Sequence, residues 1–139
     1  MSYDFIIFEP DAIDDAGFDA WYRAQLEDDM GDDISVATPA LQAFYRELIL
    51  AYPAMNGPDS PSEQAMLDDP RLETRVTDYS IAPLVISASF AWSESDAAMS
   101  VVGDLMDKHP VAVANYGVEL LILRPEPAPE PPKRWWSRK

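Results

Sequence analysis

Residues 78–109, DYSIAPLVISASFAWSESDAAMSVVGDLMDKH, decide how this chain is read: a buried strand, then a helix that folds back over it. From Leu84 to Trp92 the larger apolar residues alternate, with Leu84, Ile86, Phe90 and Trp92 on one face and Ala88 between them. Val85, Ser87, Ser89 and Ala91 form the other face, smaller and partly polar. Period-two alternation of β-branched and aromatic residues is a strand signature. Ser93 stands where a helix N-cap belongs, and Asp96 three residues on brings a carboxylate toward the unpaired N–H groups of the first turn.

Upstream, Arg71 to Ile81 alternates in the same way, Leu72, Thr74, Val76 and Asp78 against Glu73, Arg75, Thr77 and Tyr79, and Ile81-Ala82-Pro83 turns it into the next strand as a hairpin. Downstream, Pro110 ends the helix. VAVAN and VELLILR then flank Tyr116-Gly117, as a second hairpin or as one strand bent at the glycine. At the other end of the chain YDFIIFE reads as a strand with Phe5 and Ile7 on one face, Ile6 and Phe8 on the other. Apolar residues on both faces suit an inner strand of a sheet covered on both sides. Asp14 or Asp15 caps a helix from about Ala16 to Asp28. Thr38-Pro39 starts another, with Leu41, Phe44, Tyr45, Leu48 and Ile49 on one stripe. The two helices are expected on one face of the sheet, and residues 54–70 read as a proline-bounded connection without regular structure.

The resulting order is strand, two helices, strand, strand, helix, strand, strand. It predicts an α+β fold: a mostly antiparallel sheet of four or five strands with about three helices, in the split β-α-β order of ferredoxin-like folds. Residues 1–125 form a single domain, and residues 126–139 a proline-rich tail with a basic end around Trp135 and Trp136. For that tail a disordered terminus, a docking peptide, a membrane-surface contact and intramolecular docking onto the acidic domain all fit the composition.

Charge is the strongest compositional fact. The 139 residues carry 25 acids against 10 bases, a formal net charge of −15. The asymmetry is internal as well, net −17 through residue 125 and +2 beyond it. Such a field repels nucleic acid and anionic membrane, and it speeds association with a basic partner. No run of about 18 apolar residues predicts a membrane span. The start turns acidic at once, unlike a signal peptide, and the chain holds no cysteine, so no disulfide framework is expected.

Catalytic equipment is sparse. His109 is the one histidine, placed in the last turn of a helix, where the expected role is to meet the terminal carbonyls and the helix dipole. The acidic loop Asp28, Asp29, Asp32, Asp33 fails the EF-hand spacing: counted from Asp28, the required glycine falls at position 33, which is aspartate. The five glycines are scattered, and none precedes Lys-Ser/Thr as in a phosphate loop. No cofactor, metal site or catalytic residue is therefore assigned. Trp21 and Tyr22 are expected mainly in the core, with one of them free to face outward beside the acidic loop.

Several segments taken together resemble a group of small acidic bacterial proteins: YDFIIFEP, FDAWYRAQ, TPALQAFYREL, PAMNGP and VTDYSI with FAWSES. They cover most of residues 1–109; the chain beyond His109 does not share the resemblance. It implies a cytoplasmic immunity protein, not an enzyme, that neutralises a cognate protein toxin with a basic surface by blocking its active site or substrate cleft. The expected contacts are Trp21, Tyr22, Asp28, Asp29, Asp32 and Asp33, then Met55 and Asn56. The alternative is a small ligand-binding sensor or orphan enzyme with a carboxylate-lined cleft between the sheet and residues 54–70, marked by convergent carboxylates of raised pKa. A homodimer through an exposed sheet face is compatible with either, and the oligomeric state stays open.

Overall fold

The computed structural model describes residues 2–27, 30–55, 60–116 and 120–124. Five strands form one sheet in the order β2-β3-β1-β4-β5, every neighbouring pair antiparallel. They are β1 (Ser2–Phe8), β2 (Asp78–Ala82), β3 (Val85–Ala91), β4 (Ala112–Tyr116) and β5 (Leu120–Leu123). This is the expected α+β fold in split β-α-β order, with β5 added as a hairpin on β4. A single row of paired residues, Leu123, Val113, Ile7, Ile86 and Ile81, crosses all five strands.

β1 lies at the centre and is buried on both faces. Phe5 and Ile7 enter one core with Leu41, Phe44, Tyr45 and Leu48 of α2 (Pro39–Ala51) and Ala98, Val102 and Leu105 of α5 (Ser95–Met106). Ile6 and Phe8 enter a second core with Phe18 and Tyr22 of α1 (Phe18–Glu27). The first two helices thus lie on opposite faces, not on one as the sequence order suggested. The reason is β1 itself: Ile6 and Phe8 need a cover that α2 and α5 do not supply. Thr38 caps α2 as expected, its hydroxyl accepting from Leu41 N–H at 3.4 Å while donating to a Glu9 carboxylate oxygen.

Four local expectations are corrected. Leu72–Arg75 is a short helix, α4, not strand, because Leu72 and Val76 stand four apart and close a helical turn, Val76 N–H to Leu72 C=O at 2.8 Å. The segment 54–70 holds a helix, α3 (Glu63–Asp68), capped by the Ser62 hydroxyl on Ala65 N–H at 3.1 Å. The β3 alternation stops short of Leu84, which sits in the turn, and of Trp92, which opens a 3-10 turn (Trp92–Glu94); both are exposed. That turn leads directly into α5, so Ser93 caps nothing and Glu94 takes the cap position without a side-chain hydrogen bond.

His109 departs from the reading in a different way. Its own N–H closes the end of α5 on Leu105 C=O at 3.0 Å, but its ring pairs through Nε2 with Glu47 of α2. The two helices of the larger core are thereby tied by side chains 62 residues apart. A second tie joins α2 to β2 and the start of α5. The buried Tyr79 hydroxyl donates to Tyr52 C=O at 2.7 Å, and the Tyr52 hydroxyl donates to Glu94 at 3.2 Å, where Arg75 also arrives at 3.5 Å. Burial pushes the Tyr79 hydroxyl far above the ordinary tyrosine range, so it is a permanent donor.

Replacing Tyr79 with phenylalanine strands the Tyr52 carbonyl and is expected to cost about 1–3 kcal/mol in urea unfolding. The His109 hydrogen bond holds the Glu47 carboxyl below its ordinary value, helped by the Lys108 charge. A carboxyl depressed in the folded state stabilises the fold above its unfolded pKa and loses that contribution as pH falls through the folded one. The stability gap between wild type and Glu47→Gln is therefore expected at pH 7, shrinking below about pH 4.3. A gap that does not change with pH would contradict the ion-paired role.

Candidate functional site: the outer edge of β2

The chain must carry α1 on one face and α2 on the other, and the connection between them wraps the outer edge of β2. Three contacts fix its described part. Met30 packs into the smaller core. Gly31 pairs with Ile81, its N–H donating to Ile81 C=O at 3.0 Å and its C=O accepting from Ile81 N–H at 2.6 Å. Asp33 caps the 3-10 turn Ile34–Val36, accepting from the Ser35 N–H at 2.9 Å and the Ser35 hydroxyl at 2.6 Å. Those hydrogen bonds hold the Asp33 carboxyl below its ordinary value, keeping it ionised.

The loop does not close against the β2–β3 turn. Between them lies a cleft of about 480 Å³, lined by Gln25, Gly31, Asp33, Val36 and residues 81–84. Its walls are largely aliphatic, and Val36 and Leu84 within them are 49 % and 40 % exposed. Among the described residues Asp33 is the one carboxylate in its lining, and Asp32 stands exposed beside it. Among the described residues no cluster of three or more His, Asp or Glu side chains is placed to hold a metal ion.

The second predicted loop reaches the same edge at its other end. Ala54 bridges Thr77, with Met55 N–H on Thr77 C=O at 2.8 Å and Thr77 N–H on Pro53 C=O at 2.9 Å. Met55 is exposed there. Thr77 directly precedes β2 and lies four residues, about 13 Å of strand, from Ile81, so Met55 and the Asp32–Asp33 pair flank the same edge. Asp28, Asp29 and Asn56 lie outside the described residues.

The two aromatics of α1 stand behind this edge. Tyr22 faces the sheet, stacked on Phe18 at 5.8 Å, and its hydroxyl donates to the Ser87 hydroxyl oxygen at 2.9 Å. Burial, with the Asp4 charge added, raises its pKa. Trp21 is partly buried, its ring 5.8 Å from Phe8 and 6.0 Å from Phe18. Both set the pose of α1, and Gln25 four residues past Trp21 reaches the cleft. Gln25, Val36, Pro83 and Leu84 escaped the sequence reading. Leu84 in particular was assigned to a buried strand face.

Two other hollows lie at the far edge of the sheet. A groove of about 610 Å³ runs between the end of α5 and β5, beside Asp107, Lys108, His109, Leu123 and Arg124. A ledge of about 410 Å³ is formed by Asp11, Asp14, Asp15 and Arg124. Arg124 is fully engaged, Nε on Asp15 at 2.7 Å and its two terminal nitrogens on Pro10 C=O at 2.6 Å and Ile13 C=O at 2.8 Å. It pins the end of β5 to the loop that launches α1.

Among the described residues no helix is long and apolar enough to cross a membrane. Comparison with family models, curated proteins and solved structures gives no match.

Amide hydrogen exchange tests the edge directly. The Gly31 and Ile81 amides, paired with each other's carbonyls, are expected to exchange slowly, and the Asp32 amide between cleft and solvent rapidly. Equal rates at Gly31 and Asp32 would mean that the loop is not bridged to β2.

Proposed function

We propose that this chain is an immunity protein that binds a basic toxin and blocks its active site or substrate cleft, using the outer edge of β2 as its contact surface. The observation that carries this reading is the pairing of an open aliphatic cleft with the ionised Asp33 carboxylate on a chain of net charge −15. Each part has a distinct job. The acidic field steers a basic partner into encounter, and it acts on the association rate. Val36 and Leu84 offer apolar area that a side chain of the partner desolvates, and that contact sets the dissociation rate.

The resemblance carried by segments of residues 1–109 points to the same class. The cleft itself favours a contact surface over a carboxylate-based catalytic site, since Asp33 is pushed down, not up. A general acid at neutral pH needs the opposite shift.

Co-expression with the toxin encoded beside this chain tests the reading: wild type protects the cells, and Leu84→Arg does not. Leu84 lies exposed in a turn, so the variant is expected to melt as wild type does. Asp32→Lys is expected to slow association about tenfold at low salt and to leave dissociation nearly unchanged. Failure of the wild type to bind or protect against that toxin would sink the proposal.

A further inference from the structure

The cleft has a complementary ligand in the same chain. We infer that the tail beyond Arg124 folds across the end of the sheet and seats Trp135 or Trp136 in the cleft between Val36 and Leu84. This intramolecular docking does not depend on the toxin reading; a toxin that uses the same cleft displaces the tail.

Position comes first. Leu123 and Ile81 stand in one cross-sheet row, four strand spacings apart, or about 19 Å at ~4.8 Å each. Arg124 follows at the same end of the sheet as Ala82, Pro83 and Leu84, so the tail leaves the domain at the cleft's own level. Length comes next. Residues 125–134, PEPAPEPPKR, hold five prolines, and ten residues at the polyproline rise of ~3.1 Å reach about 31 Å. That exceeds the distance to be crossed, and prolines lower the entropy lost on docking.

Charge selects among the hollows. All four bases of the tail, Lys133, Arg134, Arg138 and Lys139, surround the two tryptophans. The groove beside α5 carries two bases, Lys108 and Arg124, against one acid, Asp107, so it offers such a segment no net negative lining. On the way to the cleft the tail meets the acidic ledge of Asp11, Asp14 and Asp15, and at the cleft Asp32 and Asp33. A tryptophan needs an apolar wall with polar groups at its margin, which Val36, Leu84, Gln25 and Asp33 supply.

The lack of cysteine gives a clean test in the full-length chain. A nitroxide on Ser137→Cys is expected to broaden the amides of Gly31, Val36, Ala82 and Leu84 to loss of most of their intensity. Gly103 and Lys108 are expected to keep theirs. Trp135→Ala with Trp136→Ala in the same labelled chain restores the lost peaks, and so does raised salt in part, by screening. Both variants leave residues 1–124 unchanged, so the domain spectrum serves as the folding control. Even, weak broadening over the whole domain, or broadening centred on the groove at His109, would overturn the inference. Loss of the effect when labelled chains are diluted with unlabelled ones would overturn it too, by making the occupant a second copy.

Discussion

β1 is apolar on both faces, and that one constraint organises the molecule. Phe5 and Ile7 demand one layer of cover, Ile6 and Phe8 another, and all four are essentially without solvent exposure. A Phe or Ile side chain left uncovered forfeits about 1.5–3 kcal/mol of burial, so neither face of a central strand can stay open. The sheet is consequently sandwiched, with α2 and α5 on one side and α1 on the other. Sequence order then forces the chain between α1 and α2 to travel around an edge, and the edge it rounds is β2.

That detour creates the cleft. The connection is anchored by three contacts of different kinds: Met30 packs into the smaller core, Gly31 bridges the β2 backbone and Asp33 caps the turn that follows. Gly31 and Ala54 also bridge β2 at its two ends, which blocks that edge from pairing with a foreign strand. What is left open is a side-chain cleft beside a closed backbone edge. The surface thus suits the proposed contact by charge and by inserted apolar side chains, not by strand addition.

Most of the scaffold was legible because its signals are local. The two-faced β1, the Thr38-Pro39 cap and the alternation from Val85 to Ala91 each lie within a few residues, and each fixes an element where it was read. Errors arose where one pattern served two structures. Leu72 and Val76 satisfy period two and a helical turn alike, and the hydrogen bond decided for the helix. Leu84 and Trp92 prolong the alternation beyond the residues that pair with β1 and β2, so they end outside the core.

The site was only half legible. Acidity marked Asp32 and Asp33, and prolines marked the segment at Met55, but nothing local brings Gln25, Val36 and Leu84 together. Their meeting depends on which edge the α1–α2 connection rounds, a consequence of topology. The Arg124 clamp and the Glu47–His109 tie are long-range in the same sense. The central claim is that this topological by-product is the contact surface. A hydrogen-exchange footprint of the protein in complex with the proposed basic toxin tests it most directly. The account predicts added protection confined to residues 30–36 and 81–84, with Met55 at the margin. Protection centred on β5 and the end of α5, with residues 30–36 unchanged, would contradict it.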